Sequence, residues 1–215
     1  MKSREYMRIL SFFFMLATSI ACARDWRAVA QLHGGYVLPS TDIDGADPLP
    51  GYNAQVDLGF RWRLPVDSSL YVGPSVGLQW VSHGFQQTPE VLGALEDVVY
   101  KQEMVSKFTT IAVALEYHPV ANGWIAIVPE FDLSRSASSS TSLSGYSPSL
   151  RQVVHGYDSG NLDDMNDPWY LGLSCGYGAM GPLGVGFSMK MPMNSYDKVE
   201  DYSLWQFSTT LRLEL

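Results

Sequence analysis

One stretch of thirteen residues limits what this chain can fold into. Residues 52–64 read YNAQVDLGFRWRL, and apolar side chains alternate with polar ones along the whole stretch. Successive side chains of a β-strand point to opposite faces, so this strand has one wholly apolar face and one polar or charged face. In a soluble sheet the charged face meets water, whereas in a membrane barrel it faces the interior.

The same alternation recurs in seven further segments. They are residues 26–38, 70–80, 107–118, 124–134, 169–179, 183–191 and 204–215. Eight strands is an even number, and each has the ~9–11 residues of a tilted membrane strand or slightly more. The short connections (65–69, 119–123 and 180–182) alternate with long ones (39–51, 84–104, 135–168 and 192–203). The pattern predicts an all-β fold: an eight-stranded antiparallel up-and-down transmembrane β-barrel with short periplasmic turns and long extracellular loops.

Charge and side-chain size indicate which face meets lipid. The four long loops hold fourteen acids and four bases, whereas the strands and short turns hold seven of each. Net acidity is typical of a solvated surface, and balanced charge suits an enclosed interior where an unpaired charge is costly. The polar face is rich in glycine and serine, as the narrow interior of eight strands requires. A soluble lipocalin-like carrier would need the apolar face inside, which the glycine distribution opposes.

Aromatic residues near the strand ends predict interfacial girdles. They are Trp26, Tyr36, Tyr52, Trp62, Trp80, Tyr117, Trp124, Trp169 and Trp205.

The first residues are typical of a secretory signal peptide. Residues 1–23 have a basic start, an apolar run over 9–21, and small residues at Ala21 and Ala23. We predict cleavage after Ala23 and a barrel domain over 24–215. A membrane anchor is one alternative, although the run is short for a spanning helix of ~20 residues. A lipid-bearing Cys22 is another, because residues 19–22 loosely resemble a lipoprotein box.

Two loops and two prolines carry local predictions. Residues 88–100, TPEVLGALEDVVY, predict a short amphipathic helix because a capping threonine and a proline precede apolar residues on one face. The serine-rich residues 134–149 predict a mobile segment. Pro74 and Pro129 predict β-bulges, because a closed barrel has no free edge at which a missing N–H donor is harmless.

The arrangement of serine, histidine and acidic residues predicts no catalytic, cofactor or metal site. Ser82 and His83 are adjacent in a strand and face opposite ways, so they cannot act as nucleophile and base. His33, His83 and His118 fall at different depths of the barrel, whereas zinc ligands must converge. The acidic runs 42–47 and 158–167 do not have the spacing of an EF-hand.

The inward-facing charges are more informative. We predict a barrel-interior charge network made of Asp57, Arg61, Arg63, Glu116, Glu130, Asp132, Lys190, Arg212 and Glu214. Its first interpretation is stability and closure of the pore, and its alternative is transport or a proton relay.

At this point the chain resembles the small eight-stranded outer-membrane barrels of Gram-negative bacteria, particularly the PorT-like outer-membrane protein β-barrel family. The likeness covers residues 26–215 and includes YVGPSVGLQW (71–80) and the closing WQFSTTLRLEL (205–215). It implies a monomer in the cell outer membrane, in contact with outer-membrane lipid and inserted by the barrel-assembly machinery, with no nucleic acid partner. The family commonly ends on an aromatic residue, whereas this chain ends on Leu215.

Two classes of function follow. The first is a non-enzymatic barrel of the cell envelope, whose acidic extracellular loops serve binding, adhesion or envelope integrity toward a ligand that the sequence does not name. The alternative is a lipid-modifying outer-membrane enzyme or a small channel built on the same barrel.

Overall fold

The structure, a computed structural model, describes residues 26–41, 45–89, 91–92, 94–161, 167–180, 182–195 and 202–215. Within these ranges the chain forms ten β-strands and no helix. They are β1 (Trp26–Thr41), β2 (Ala46–Arg63), β3 (Leu70–Gln87), β4 (Val91–Leu92), β5 (Leu95–Tyr117), β6 (Gly123–Ser147), β7 (Gln152–Asn161), β8 (Trp169–Met180), β9 (Leu183–Pro192) and β10 (Tyr202–Glu214). The predicted signal peptide, with Cys22, lies outside the described residues.

Eight of these strands close into a ring. The hydrogen-bonded order is β5-β3-β2-β1-β10-β9-β8-β6, and a direct β5–β6 pairing joins the two ends. Every pairing in the ring is antiparallel. The two remaining strands are additions, β4 on β5 and β7 on β6. The predicted eight-stranded antiparallel barrel is therefore confirmed.

Side-chain exposure shows which face of residues 52–64 lies inside the barrel. On β2 the apolar Leu58 is 61% exposed on the outside, while its polar neighbour Gln55 is 1% exposed in the lumen. Large apolar side chains of the ring strands are exposed in the same way, and polar ones are buried inside. Because a closed barrel has no free strand edge, this apolar exterior suits lipid. The polar face of residues 52–64 lines the lumen.

One of the aromatic residues predicted to lie in the girdles does not lie there. Trp124 is 3% exposed and lies inside the barrel, not at the lipid interface. It is the second residue of β6, and the alternation there turns its side chain inward with Ala126. Proximity to a strand end was therefore a poorer guide than the parity of the strand.

The two strand prolines do not produce bulges. The β2–β3 register is the same on both sides of Pro74, and the β5–β6 register is the same on both sides of Pro129. The ladder is interrupted without a shift of the chain. Opposite Pro74, Arg61 Nη1 donates to Phe60 O at 3.0 Å and to Pro74 O at 3.3 Å. A lumen side chain thus bonds carbonyl groups beside the missing donor.

The predicted loops are largely strand. Residues 100–104 pair with β3, and Leu92 is the register partner of Leu95. Strands therefore occupy this region, and the prediction of an amphipathic helix over 88–100 is wrong. The prediction of a mobile serine-rich loop is also wrong, because residues 134–147 belong to β6. They pair with β5 on one side and, from Ser138, with β7 on the other. Both segments are strands because they form hydrogen bonds with neighbouring strands. The local sequence patterns did not show which strands those neighbours would be.

The three predicted short turns join ring strands at the end of the barrel opposite to the predicted long loops. In the turn after β2, the Ser69 hydroxyl and backbone N–H both donate to Asp67 Oδ1, at 2.6 and 2.8 Å. These two hydrogen bonds hold the pKa of Asp67 below its ordinary value. The predicted loop 39–51 shrinks, because β1 runs to Thr41 and β2 begins at Ala46.

The face assignment predicts the effect of a charge in the belt. We expect Leu58→Arg to lower the free energy of unfolding in lipid vesicles by about 2–4 kcal/mol, because the guanidinium then faces hydrocarbon. Val66→Arg is the matched control, since Val66 lies in a short turn and is 83% exposed. Urea titrations of the refolded barrel measure both variants. Equal losses in the two variants would contradict the outward orientation of Leu58.

Candidate functional site

The lumen near the short turns holds a cluster of arginines around one glutamate. Arg61 Nε donates to Glu116 Oε1 at 2.5 Å, and Arg212 Nη2 donates to Glu116 Oε2 at 2.7 Å. His118 Nε2 lies 3.4 Å from the same carboxylate. Arg61, Arg212 and Glu116 are all buried. Two charge-assisted contacts satisfy a carboxylate that would be costly to bury alone.

A second carboxylate extends this cluster to the rim. Arg212 Nε lies 2.8 Å from Glu214 Oε1, and Arg27 Nη1 donates to Glu214 Oε2 at 2.8 Å. Arg27 and Arg63 both donate to the Tyr71 hydroxyl, at 3.2 and 3.1 Å. We call these residues, together with Arg61, Glu116 and His118, the inner tier. Arg27 was absent from the predicted network, although it is on the polar face of the first predicted strand.

Trp124 packs inside this end of the barrel against glycines. The Arg212 guanidinium lies 4.8 Å from the centroid of the Trp124 ring. A Cβ atom at Gly176 would lie 2.1 Å from the indole, and at Gly186 or Gly184 it would lie 2.8 Å away. Gly176, Gly184 and Gly186 therefore leave the space that one indole occupies. Beside it a cavity of about 230 Å³ opens among Arg27, His118 and Asn122.

The middle of the lumen holds a separate cluster in which acids predominate. Lys190 Nζ donates to Glu130 Oε1 and, at 2.5 Å, to Gln55 Oε1. Gln55 Nε2 donates to Asp57 Oδ1 at 2.9 Å, and His33 Nε2 lies 3.1 Å from Asp57 Oδ2. We call these five residues, with Asp132 and the amides around them, the middle tier.

Asp132 is the most enclosed acid of the middle tier. Its exposed fraction is 0%. The Gln79 amide lies 2.7 Å from Asp132 Oδ2 and donates to it when its nitrogen is on that side. Asn53 Nδ2 donates to Gln206 Oε1 at 2.7 Å and thereby continues the polar contacts from β2 to β10. One amide therefore reaches Asp132 Oδ2, whereas Asp132 Oδ1 has no hydrogen-bond partner among the described residues.

The two tiers divide the predicted network by charge. Asp57, Glu130, Asp132 and Lys190 lie in the middle tier, and Arg61, Arg63, Glu116, Arg212 and Glu214 lie in the inner tier. Counting only charged side chains that the structure describes, three acids face one lysine in the middle and four arginines face two acids in the inner tier. The neutral total of the strands therefore conceals an acidic centre and a basic inner end.

An apolar cluster occupies the lumen on the far side of the middle tier. Its buried members are Val37, Val81, Phe85, Met104, Phe108, Tyr202 and Leu204. The rings of Phe85 and Tyr202 lie 5.0 Å apart, and the Tyr202 hydroxyl donates to Met104 Sδ at 3.6 Å. We call this group the apolar plug. Several members lie beyond the predicted strand ends, although the alternation Val81-x-His83-x-Phe85 could have located them.

Beyond the apolar plug the chain forms a sheet outside the ring. β5 and β6 remain paired from Glu96↔Tyr146 down to the ring, and β7 pairs with β6 from Ser147↔Gln152 to Ser138↔Asn161. Among the described residues β7 pairs with β6 alone. Most of its side chains are exposed, and Tyr157 is 75% exposed. We call β7 and residues 95–103 and 138–147 the outer sheet.

One chain of a hydroxyl, an imidazole and a carboxylate lies in the middle tier, where His33 Nδ1 is 2.9 Å from Thr210 Oγ1 and 3.5 Å from Ser188 Oγ, and His33 Nε2 is 3.1 Å from Asp57 Oδ2. All four side chains are buried.

His33 lies in the middle tier, His118 in the inner tier, and His83 beside the Tyr202 ring at 5.7 Å. Within the described ranges no three histidine, cysteine or acidic side chains could hold a metal ion together.

Comparison with known proteins gives structural likenesses only. No protein-family profile and no curated protein matches this sequence. Neisserial surface protein A is 9% identical, with a TM-score of 0.43 over 87% of this chain and 97% of that one. The attachment invasion locus protein Ail of Yersinia pestis is 9% identical, with a TM-score of 0.42 over 88% and 98%. The outer membrane protease OmpT of Escherichia coli is 10% identical, with a TM-score of 0.41 over 90% and 98%.

At these values none of the likenesses says what this chain does. No helix among the described residues is long and apolar enough to span a membrane. The exposed apolar belt of the closed ring suits contact with membrane lipid. The closed ring and its apolar belt therefore make this protein a β-barrel suited to a membrane, and its place in a Gram-negative outer membrane stays a prediction from the residue pattern.

The middle tier predicts a large loss of stability when its lysine is removed. We expect Lys190→Met to lower the free energy of unfolding by about 3–5 kcal/mol, because Glu130 is left without its buried cation. Lys101→Met is the matched control, since Lys101 pairs with Glu103 at a half-exposed site of the outer sheet. Exposed pairs contribute about 0–1 kcal/mol. Similar unfolding curves for the two variants would mean that the middle tier is open to water.

The contact between Trp124 and the glycines predicts a specific coupling. We expect Gly184→Ala to destabilise the barrel by about 1–3 kcal/mol, because the new methyl group would lie 2.8 Å from the indole while the nearest backbone atom is 3.4 Å away. The loss should be much smaller in a Trp124→Leu background, which a double-mutant cycle measures. Gly34→Ala serves as the control, because a Cβ there meets nothing within 4 Å. Additive losses would show that the glycine and the indole are not in contact.

Proposed function

We propose that this protein is a non-enzymatic display barrel, in which the wall anchors the chain in the outer membrane and the outer sheet binds a partner outside the cell. The observation that carries the proposal is the contrast between the two halves. The lumen is filled by the inner tier, the middle tier and the apolar plug, whereas the outer sheet extends beyond the ring and its strand β7 is largely exposed.

Filling of the lumen supports a structural role for the interior charges. The apolar plug packs across the lumen next to the middle tier, and Phe108 and Leu204 are almost fully buried. An ion would have to pass an apolar constriction and then an ion pair between Lys190 and Glu130. Eight strands leave an interior just wide enough for side chains. The network therefore serves stability and closure in this proposal, and transport is the less favoured role.

The outer sheet supports a role in binding. β7 presents a line of backbone groups on the side away from β6, and an edge of this kind can accept an extended segment of another protein. The predicted long loops around it have a net charge of −10. A partner with a basic surface would approach such loops faster than an acidic one. Membership of the PorT-like family stays a prediction from the residue pattern.

Surface labelling tests which end of the barrel is outside. In a Cys175→Ser background, Tyr157→Cys in β7 should react with a membrane-impermeant maleimide on intact cells. Val66→Cys in a short turn should react only after the outer membrane is permeabilised, because that end faces the periplasm. Both parent residues are strongly exposed, so accessibility within the protein does not differ. The reverse pattern of labelling would invert the proposed orientation.

Conductance distinguishes the display barrel from the small channel. We expect no steady ion current from the purified barrel in planar bilayers, because the apolar plug and the paired charges fill the lumen. The double substitution Phe108→Ala with Leu204→Ala removes two large side chains from the apolar plug. This variant should show brief channel openings. Stable, ion-selective current from the unaltered protein would favour the channel.

A further inference from the structure

The outward surface of the barrel wall carries two charged side chains among the residues that the structure describes. The wall comprises residues 26–38, 52–64, 70–80, 107–117, 125–135, 169–177, 183–191 and 205–215. The lipid-facing positions of these segments are apolar or uncharged except for Lys107 and Arg135. Both exceptions are cations, both are exposed, and they lie on the neighbouring strands β5 and β6. A charged side chain on a lipid-facing surface is costly, so a pair of like sign needs an explanation.

The backbone brings the two cations together at one place. Lys107 pairs with Ser136 and Phe108 with Ser134, so Arg135 is the extra residue of a β-bulge. A bulge redirects side chains, and this one places Arg135 on the outside beside Lys107. Lys107, Arg135, Trp80 and Ser136 line one cavity of about 310 Å³. Trp80 is the register partner of Lys107 on β3.

The height of this cavity matches the outer lipid interface. Tyr117 is outward at the inner end of β5, and Lys107 is outward ten residues earlier on the same strand. Ten residues span ~33 Å along a strand. At a tilt of ~40° this gives ~25 Å across the membrane, which is the height of the apolar band of such barrels. The ammonium and the guanidinium therefore lie where lipid headgroups begin.

Two acids lie nearby, and neither forms an ion pair with Lys107 or Arg135 among the described residues. Glu103, which faces outward further along β5, pairs with Lys101 at 2.5 Å. Asp167 Oδ1 accepts a hydrogen bond from the Ser134 backbone N–H at 2.8 Å. Lys107 and Arg135 together therefore complement the charge of one anion. A guanidinium binds a phosphate through two parallel hydrogen bonds, an ammonium adds a point charge, and an indole lies at headgroup level.

We propose that Lys107, Arg135 and Trp80 form a binding site for the phosphate group of an acylated lipid in the outer leaflet. The lipid source is favoured over free phosphate because the cavity adjoins lipid-facing Leu78 and Trp80. The acyl chains would lie along the exposed belt of β3 and β5. The site is separate from the outer sheet, so it does not depend on the display function.

Native mass spectrometry of the whole mature barrel in neutral detergent tests the site. The probe is an acylated glucosamine disaccharide that carries two phosphates, and the comparison is the same lipid after dephosphorylation. We expect Lys107→Gln with Arg135→Gln to weaken binding of the phosphorylated lipid by about tenfold or more, because two headgroup contacts are lost. Both residues are exposed, so the variant should fold, which heat-dependent gel mobility verifies.

Lys101→Gln is the matched control, because it removes an outward cation of the same strand that already has an acidic partner. We expect this variant to bind the phosphorylated lipid within about twofold of the unaltered protein, since an engaged cation adds little. Equal binding of the lipid with and without phosphate would overturn the proposal. So would unchanged affinity in the double variant, or inorganic phosphate that displaces the lipid at equal concentration.

Discussion

Closure of the ring is the constraint on which the rest of this structure depends. The hydrocarbon of a membrane offers no partner to a backbone N–H or C=O group, so eight strands must pair all the way round. The β5–β6 and β1–β10 pairings complete that circle. Once the circle is closed its radius is fixed, and everything inside must fit a narrow cylinder. The composition of the inward face follows from this limit.

The narrow interior explains how large side chains and charges coexist there. One indole, Trp124, fills the space left by Gly176, Gly184 and Gly186, and small residues elsewhere leave room for guanidinium groups. Buried charge at this density is stabilised where a carboxylate meets several donors. Glu116 meets two arginines and a histidine, and Glu130 meets Lys190 and an amide. The separation into a basic inner tier and an acidic middle tier arises because neighbouring strands place their charges at different depths.

Pairing of strands continues beyond the membrane and changes its role there. Outside the ring, β5 and β6 no longer enclose a lumen, and β7 joins them as an added strand. The apolar plug lies where the enclosed part of the lumen gives way to the exposed outer sheet. The bulge at Arg135 falls on the same region and turns a cation toward lipid. Anchoring, sealing and display therefore occupy successive levels along the same two strands.

The sequence by itself determined the strand alternation, the number of ring strands, the three short turns and the inward direction of the nine predicted network charges. These are local properties, because a period of two assigns each side chain to a face whatever its neighbours are. Only the tertiary structure decided which charges meet: Arg63 donates to Tyr71, Lys190 meets Glu130, and Arg27 joins Glu214. It also turned the predicted helix and the serine-rich loop into strands and left Pro74 without a bulge. Pairing between strands distant in sequence supplies those interactions, and no local pattern of residues records which strand will be the neighbour.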